Sequence, residues 1–366
     1  MKTIRRLVYV EVIQAVAFVS LGFLALFFFF DFIDELPNLG RASKAYRLTQ
    51  ALVYVGLRLP SHLYELLPIA VLIGTIFVMA RFAQSSEYTI LRTSGLGPWR
   101  ALRALLVLGA GFTVLTFATG DYLAPISDTT GQLLRARMDG GVSVGLTGAW
   151  LKERQGEHSY NVNVLRLTAE GKMQRVRIFE ADSRGFLVSL TQGDWARFGN
   201  GAWLLEGVDR TEFGEADSKT PQVKRVKLPT LRWPTEITQE MVSVALLKPE
   251  RMSTFALFQY IRHLEANAQT SQRYEIEFWR KVFYPLSCLV MVVLALPFAY
   301  LHFRQSGITS YVFGGVLIGI SFFLLNNVFG YIGNMQNWVP WVAAGAPGFI
   351  YTLLSLAAFG WLVLRR

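Results

Sequence analysis

The stretch SSEYTILRTSGLGPWRALRALL, residues 85–106, interrupts two apolar segments. Its first half is polar and helical in character, and its single acid, Glu87, stands among arginines. Gly97-Pro98 breaks the stretch, since glycine favours a helix end and proline a first helical position. The apolar segments on either side, 66–82 and 102–119, are of a length that crosses a bilayer. The stretch therefore predicts a helical membrane protein with a short polar helix between two spans.

The composition agrees with a membrane protein. The 366 residues are 52% hydrophobic and only 17% charged, with 27 Phe and 9 Trp, which is too apolar for an ordinary soluble domain. A spanning helix needs about 20 mainly apolar residues. Six segments are predicted to span: 7–30, 66–82, 102–119, 282–301, 308–332 and 341–364, the last with Pro347 inside it.

The net charge of +10 is a topology signal. With the N-terminus inside, the inner segments carry ten basic residues against one acid, Glu87. The short outer loops are balanced, with four basic residues, Arg41, Lys44, Arg47 and Arg58, opposed by four acids, Asp31, Asp34, Glu35 and Glu65. Positive residues collect on the cytoplasmic side, so both termini are predicted to be cytoplasmic and the large region between spans 3 and 4 to lie outside. No nucleic-acid partner is expected.

Catalytic chemistry is not predicted. The single cysteine, Cys288, lies inside a span, and the four histidines are scattered. Gly171-Lys172 lacks the rest of a phosphate-binding loop, and no hydrolase or paired-carboxylate motif occurs. We expect no catalytic residue, no metal and no cofactor in this chain. If energy is used, another chain supplies it.

The insert between spans 3 and 4 is predicted to be mainly β-structure. Alternating patterns occupy 159–167 and 173–181, two or three strands surround the turn at 199–201, and another strand begins at Val223. Alternation gives each strand one buried face, which is typical of a sandwich or an open jelly roll. A helical pattern after Ser253 leads the chain back to the membrane. The predicted domains are 1–119, 120–281 and 282–366.

Four motifs in order resemble the LptF/LptG family, the permeases of lipopolysaccharide export. SSEYTILRTSGLG (85–97) is similar to the family's coupling helix, and GDYLAP (120–125) to the exit from its third span. FIDEL (32–36) and EFWRKVFYPL (277–286) favour the LptG branch. The resemblance covers the whole chain, with six spans divided by a β domain.

The resemblance implies a permease subunit of an ABC transporter in the bacterial inner membrane. It implies an LptF-like paralogue, an LptB-like ATPase dimer that binds ATP and Mg, an LptC-like single-span helix, and a periplasmic bridge of jelly rolls that receives lipopolysaccharide. The insert is then a periplasmic β-jellyroll. An alternative is a permease-like scaffold that signals the ATPase state without moving lipid, and a second is a membrane-embedded transferase for lipid headgroups.

The coupling helix is expected at 85–96. The resemblance assigns contact with the ATPase to Glu87, Ile90, Leu91 and Gly95. A plainer interpretation is that Ser85-Ser86 caps the helix and that Glu87 stabilises its first turn through the helix dipole.

Arg135 and Arg137 follow the third span, where family members carry basic residues, and are predicted to bind lipid A phosphates. The planar arginine side chain can hold phosphate oxygens with two hydrogen bonds. Ordinary contact with headgroups or water is the alternative. The family's lysines after FIDEL are replaced here by Pro37 and Asn38. Arg41 and Lys44 are the predicted substitutes.

Phe30, Phe323 and Asn326 are candidates for lining a lipid cavity. The phenylalanines fit a lipid-facing or core position equally well. An asparagine exposed to lipid is costly, so Asn326 is predicted to face a partner helix or the cavity.

Overall fold

The computed structural model describes residues 2–39, 47–85, 97–139, 148–168, 170–214, 223–245, 249–300 and 308–364. These ranges contain six helical stretches long and apolar enough to cross a membrane, which confirms the prediction of six spans. They form two compact units, which are described separately. The membrane unit comprises Met1–Asp34, Arg58–Ile126 and Gln272–Arg366, and the sheet unit comprises Glu35–Leu57 and Ser127–Ser271.

The first spans are longer than their apolar cores. Helix α1 covers Lys2–Glu35 and is followed by a 3-10 turn, Leu36–Asn38. Helix α2 covers Leu48–Gln84, with Pro60 and Pro68 inside it. The sequence predicted a span only over 66–82, because charged residues precede it. The helix continues through them since they find partners on neighbouring elements.

Span 3 does not end at the predicted exit. Helix α3, Pro98–Ala118, passes through a π-helical turn, Thr119–Leu123, into α4, Ala124–Asp139. Gly97 is the N-cap of α3 and Pro98 its first residue, as the sequence predicted. The GDYLAP motif thus lies within a continuous helical path.

The last three spans are also helical. Span 4 consists of α7, Gln272–Phe283, a 3-10 turn, Tyr284–Leu286, then α8, Ser287–Ala295, and a 3-10 segment, Leu296–Tyr300. Two further helices, α9 and α10, make spans 5 and 6. They cover Ile308–Met335 and Pro340–Leu364.

The core of the membrane unit centres on α2 and α8. Leu72, Ile76, Met291 and Val292 are all fully buried, with 0% of their surface exposed. Helix α1 packs on α2 through Val8, Val12 and Val16, which recur every four residues and so share one helix face.

The insert is a six-stranded antiparallel sheet whose strands pair in sequence order. The strands are β1 Ala149–Gln155, β2 His158–Leu167, β3 Met173–Ala181, β4 Leu187–Gly199, β5 Ala202–Phe213 and β6 Val223–Pro234. Strands β2 to β6 confirm the alternation patterns, and two strands flank the predicted turn. Asn200 and Gly201 both have positive φ (52° and 66°), which suits a tight two-residue hairpin.

Three helical segments follow the sheet. Helix α5 covers Gln239–Ala245, a 3-10 turn covers Pro249–Arg251, and α6 covers Thr254–Ala266. Ser253 caps α6 by accepting a hydrogen bond from the Ala256 N–H. This helix matches the pattern predicted after Ser253.

The sheet curls so that the end of β1 reaches the end of β6 and the segment that follows it. The Gln155 side chain donates to the Pro234 carbonyl at 3.0 Å, and Glu153 accepts a hydrogen bond from the Glu236 N–H at 2.6 Å. One curled sheet in meander order fits the open jelly roll among the predicted alternatives, rather than the two-sheet sandwich.

Candidate functional site

Arg135 lies on α4 in the sheet unit, beside the start of α2 and the end of α1. Its Nη1 atom donates to the Tyr54 hydroxyl at 3.2 Å and lies 3.6 Å from a carboxylate oxygen of Glu35. The guanidinium also stands over the Tyr54 ring, 5.3 Å from its centroid. Glu35 is 8% exposed at its side chain, whereas 43% of the Arg135 side chain is exposed. Arg135 is therefore held from one side and accessible from the other.

This geometry suits recognition of an anionic group. Tyr54 and Glu35 fix the plane of the guanidinium, which reduces the conformational entropy lost when a ligand binds. Glu35 also offsets part of the positive charge, so an anion must compete with a nearby carboxylate. Binding of a lipid A phosphate by Arg135 stays a prediction.

Two motifs that are distant in the sequence meet in the membrane unit. The Lys281 ammonium, in EFWRKVFYPL, donates to the Gly120 carbonyl, in GDYLAP, at 2.8 Å. Lys281 is 6% exposed, and its Nζ lies 5.7 Å from the centre of the Tyr64 ring. The next residue back, Arg280, donates to the Asn326 carbonyl at 2.6 Å. Sequence reasoning recognised both motifs but not this contact.

The sequence matches the family described as "Lipopolysaccharide export system permease LptF/LptG" over residues 6–364. The chain belongs to the LptF/LptG family. Two relatives, both described as "Lipopolysaccharide export system permease protein LptG", come from Escherichia coli strain K12 and from Haemophilus influenzae. They are 26% and 25% identical to this chain, over 92% of it and 90% of their own length. The six spans and the inserted sheet make this LptF/LptG protein a multi-pass inner-membrane permease of lipopolysaccharide export.

Several predicted site residues of this LptF/LptG chain lie outside the described residues. These are the four coupling residues Glu87, Ile90, Leu91 and Gly95, and the two bases Arg41 and Lys44. Arg137 lies on α4, but its side chain is likewise outside the description. Their assigned roles stay predictions. Among the phosphate candidates, only the side chain of Arg135 is placed.

In the structure, the hydroxyl of Ser85, which was predicted to cap the helix that begins there, bonds to the preceding helix. Its hydroxyl donates to the Arg81 carbonyl at 3.0 Å, at the end of α2. This serine therefore completes the second span of the permease, and Ser86 lies outside the described residues.

The three cavity candidates have different surroundings. Phe30 is 53% exposed and lies 6.0 Å from the Phe29 ring, centre to centre. Phe323 is half-buried on α9. Asn326 is buried and donates to the Phe322 carbonyl at 3.0 Å, while its own carbonyl accepts from Arg280. The Asn326 side chain therefore bonds within its own helix, and only its main-chain carbonyl meets span 4. Its assignment to a lipid cavity stays a prediction.

The structure contains a buried charged cluster between α1 and α2 of the permease that the sequence did not predict. Asp31 on α1 is 8% exposed and contacts Arg58 at 2.9 Å and the His62 ring at 2.7 Å, both on α2. The charge pattern predicted both Asp31 and Arg58 to lie in short outer loops, whereas the structure places them within α1 and α2. Ionisable groups within membrane spans are costly, so each is expected to have a partner. This ion pair could have been predicted from the sequence, because an acid stands near the end of span 1 and a base stands in the next helix.

A second ion pair joins α1 and α2 nearer the chain's start. Arg81 contacts Glu11 at 2.7 Å. Between the two pairs, Gly74 allows the backbones to approach closely, since an added Cβ would lie 2.8 Å from the Val16 nitrogen. Helices α1 and α2 of this permease are therefore joined by polar contacts towards both ends and by close packing between them.

The inner face of the permease's sheet is filled by its own residues. Trp203, Leu205 and Ile237 are fully buried at 0% exposure, and Trp203 Nε1 donates to the Ile237 carbonyl at 2.7 Å. Ile237 precedes α5, so this segment closes the apolar part of the curled sheet.

The other end of the inner face is polar. Glu180 accepts hydrogen bonds from Ser189 at 2.6 Å and from Tyr160 at 3.2 Å, and Arg210 lies 3.4 Å away. Burial, and secondarily the Glu180 carboxylate, raise the pKa of Tyr160, which keeps its hydroxyl protonated as a donor. The inner face is thus divided into an apolar zone and a hydrogen-bonded polar zone.

Proposed function

We propose that this chain is the LptG-like permease subunit of an ABC transporter that extracts lipopolysaccharide from the inner membrane and passes it to a periplasmic bridge. The observation that carries the proposal is the family match over residues 6–364, on a chain with six apolar helices and a sheet unit after the third. The lipopolysaccharide named for the E. coli and H. influenzae relatives is taken as the substrate here.

The partners follow from the same membership. The proposal includes an LptF-like paralogue, a dimeric LptB-like ATPase that binds ATP and Mg, an LptC-like single-span helix, and a bridge of periplasmic jelly rolls. Both termini and the segment 85–96 face the cytoplasm, and the sheet unit faces the periplasm. The distribution of basic residues supports this orientation.

The chemistry proposed for the site is recognition rather than bond breaking. Arg135 contacts a lipid A phosphate with its accessible side, and Arg137, Arg41 and Lys44 are further candidates for phosphate contact. Acyl chains lie among apolar residues that include Phe30 and Phe323. ATP-driven closure of the partner subunits then shifts the population from the lipid-bound to the released state.

The test is transport by the reconstituted complex. Vesicles that contain this chain with its paralogue, ATPase and single-span partner are expected to release lipopolysaccharide to an added periplasmic acceptor only when ATP is present. A complex that hydrolyses ATP and binds the acceptor, but neither binds nor releases lipopolysaccharide, would instead indicate the signalling scaffold.

Coupling to the ATPase is tested at Glu87. Glu87→Lys is expected to abolish ATP-dependent release while the spans still insert, because it replaces attraction to a basic groove with repulsion. Glu87→Ala is expected to be milder, and a reversed charge in the groove of the ATPase is expected to restore part of the activity. Full release by Glu87→Lys would show that this acid only stabilises a helix end.

A further inference from the structure

Span 4 carries two adjacent basic residues, Arg280 and Lys281, at the end of α7. The span runs from Gln272 to Tyr300, and Lys281 is only 6% exposed within the membrane unit. A cation in such a place is costly unless hydrogen bonds compensate its lost hydration. Both residues meet this need by donating to backbone carbonyls of other spans.

The Gly120 carbonyl lacks its usual main-chain donor because a proline stands at the position that would supply it. In the π-helical turn, the Ala124 N–H donates to the Thr119 carbonyl, five residues back. The Gly120 carbonyl would then need the N–H of residue 125. That residue is Pro125, which has no N–H. The backbone therefore leaves the Gly120 carbonyl to Lys281.

The ring of Tyr64, on α2, packs against both Gly120 and the Lys281 ammonium. A Cβ on Gly120 would lie 2.3 Å from ring atoms of Tyr64, so only glycine fits between the ring and the helix. The ring also lies against the Lys281 ammonium, as a cation–π contact requires. The carbonyl, the ammonium and the ring thus form one packed group.

Arg280 makes the corresponding contact with another span. Its Nη2 donates to the Asn326 carbonyl on α9, and its Nη1 is held by Glu277 at 2.9 Å. Since α9 is span 5, two neighbouring residues link span 4 to span 3 and to span 5. Each link joins a charged side chain to a main-chain atom, so it acts on the helix itself.

We propose that Lys281 and Arg280 are positioning residues of lipid transport, which transmit the displacement of span 3 to spans 4 and 5. The inference rests on the proposed function, in which the segment 85–96 contacts the ATPase. Span 3 begins at Pro98, immediately after that segment. A push on α3 reaches α7 through the Gly120–Lys281 bond and reaches α9 through the Arg280–Asn326 bond.

The experiment measures ATP hydrolysed per lipopolysaccharide released by the reconstituted complex. Lys281→Met keeps the length of the side chain but removes the donor, and it is expected to raise this ratio about tenfold, within the usual range of coupling between sites. Lys281→Arg, which retains a donor, is expected to stay closer to the wild type. Arg280→Met is expected to raise the ratio as well.

Thr116→Val is the matched control. Thr116 on α3 touches Cys288 on α8 at 3.2 Å, so it also joins spans 3 and 4, but through neutral groups between side chains. Its ratio is expected to equal that of the wild type. An unchanged ratio in Lys281→Met or in Arg280→Met overturns the role assigned to that residue.

A double variant separates transmission from stability. Pro125→Ala supplies an N–H for the Gly120 carbonyl, so in Lys281→Met/Pro125→Ala the backbone satisfies that carbonyl without span 4. The double variant is expected to assemble normally and to keep the high ratio. A return to the wild-type ratio would show that Lys281 only satisfies the carbonyl. Failure of lipid release by the wild-type complex would instead contradict the proposed function.

Discussion

Arg135 shows how one side chain can be both ordered and accessible. Glu35 and Tyr54 hold it at 3.6 and 3.2 Å, and 43% of its surface stays open. Arg135→Glu is expected to weaken lipopolysaccharide binding by about 1.5–3 kcal/mol or more, because it removes a charge-assisted hydrogen bond and adds repulsion between the new carboxylate and the phosphate. Binding of labelled lipopolysaccharide to the purified complex measures the effect.

Two variants control for the contacts of Arg135 within the protein. Arg135→Lys keeps the charge but not the planar fork and should lose less affinity. Tyr54→Phe keeps the ring under the guanidinium and removes the hydroxyl, so it should change binding little. Unchanged binding in Arg135→Glu would show that this arginine contacts only headgroups or water.

At the residue scale, the sequence shows which residues are charged but not which residues they contact. Arg135 could be nominated from its position after span 3, whereas its contact with Glu35 required the fold. Lys281 and Gly120 are 161 residues apart, and only the π-helical turn makes their bond necessary. Asp31 was predicted to lie in an outer loop from the charge pattern alone, and only the fold shows that it pairs with Arg58 between α1 and α2.

At the scale of elements, α1 is expected to depend on its close contact with α2. Gly74→Ala would place a Cβ 2.8 Å from the Val16 backbone nitrogen, which must move because it is not the end of a flexible side chain. Overpacking of this kind costs about 1–3 kcal/mol. The expected result is a lower Tm of the detergent-solubilised protein.

Gly22→Ala is the control for α1. An added Cβ at Gly22 meets no atom within 4 Å, and alanine favours helix over glycine, so its Tm is expected to be equal or higher. Equal Tm values for Gly74→Ala and Gly22→Ala would contradict the close contact between α1 and α2.

The junction between α6 and β1 is expected to respond to pH. Burial lowers the pKa of His263 below its usual 6.5, with Glu153 and Glu236 opposing the shift more weakly. His263 therefore binds a proton more readily in the unfolded chain than in the folded one. The stability that the neutral, buried His263 contributes to the folded state is complete above about pH 6.5 and is lost as the pH falls through the lowered folded pKa.

Hydrogen exchange of the β1 amides, corrected for the intrinsic pH dependence, measures this effect in the full-length protein. Local opening at the junction is expected to become easier between pH 7.5 and 5.5. His263→Gln should remove most of that change, while β4, which is remote in the strand order, serves as the internal reference. An equal pH response in wild type and His263→Gln would exclude this histidine as the cause.

Alternation predicted the strands well but did not find β1. The segment AWLKERQ has four polar or charged residues in succession after Leu151, so its pattern resembles a loop. It becomes a strand because β2 pairs with it along its whole length, from Ala149–Val164 to Gln155–His158. Tertiary pairing outweighs local preference there.

At the scale of the whole molecule, the two edge strands of the sheet, β1 and β6, differ in character. The β6 edge carries Lys224, Arg225 and Lys227, with Pro229 in the strand, and such features discourage nonspecific pairing. The β1 edge is partly covered, since the Arg154 N–H donates to the Asn267 side chain at 2.9 Å. A partner jelly roll must therefore recognise specific charges at β6 or displace the cover at β1.

Photo-crosslinking distinguishes the uses of this sheet. A crosslinker at Val223, which is 63% exposed at the start of β6, is expected to capture a periplasmic protein partner. One at Leu205 lies in the filled inner face, so it should capture lipopolysaccharide only while ATP is hydrolysed, when Ile237 is displaced. Trp195, 39% exposed on β4, is the surface control and should capture lipid without regard to ATP. Capture of phospholipid alone at all three positions would contradict passage of lipopolysaccharide along this domain.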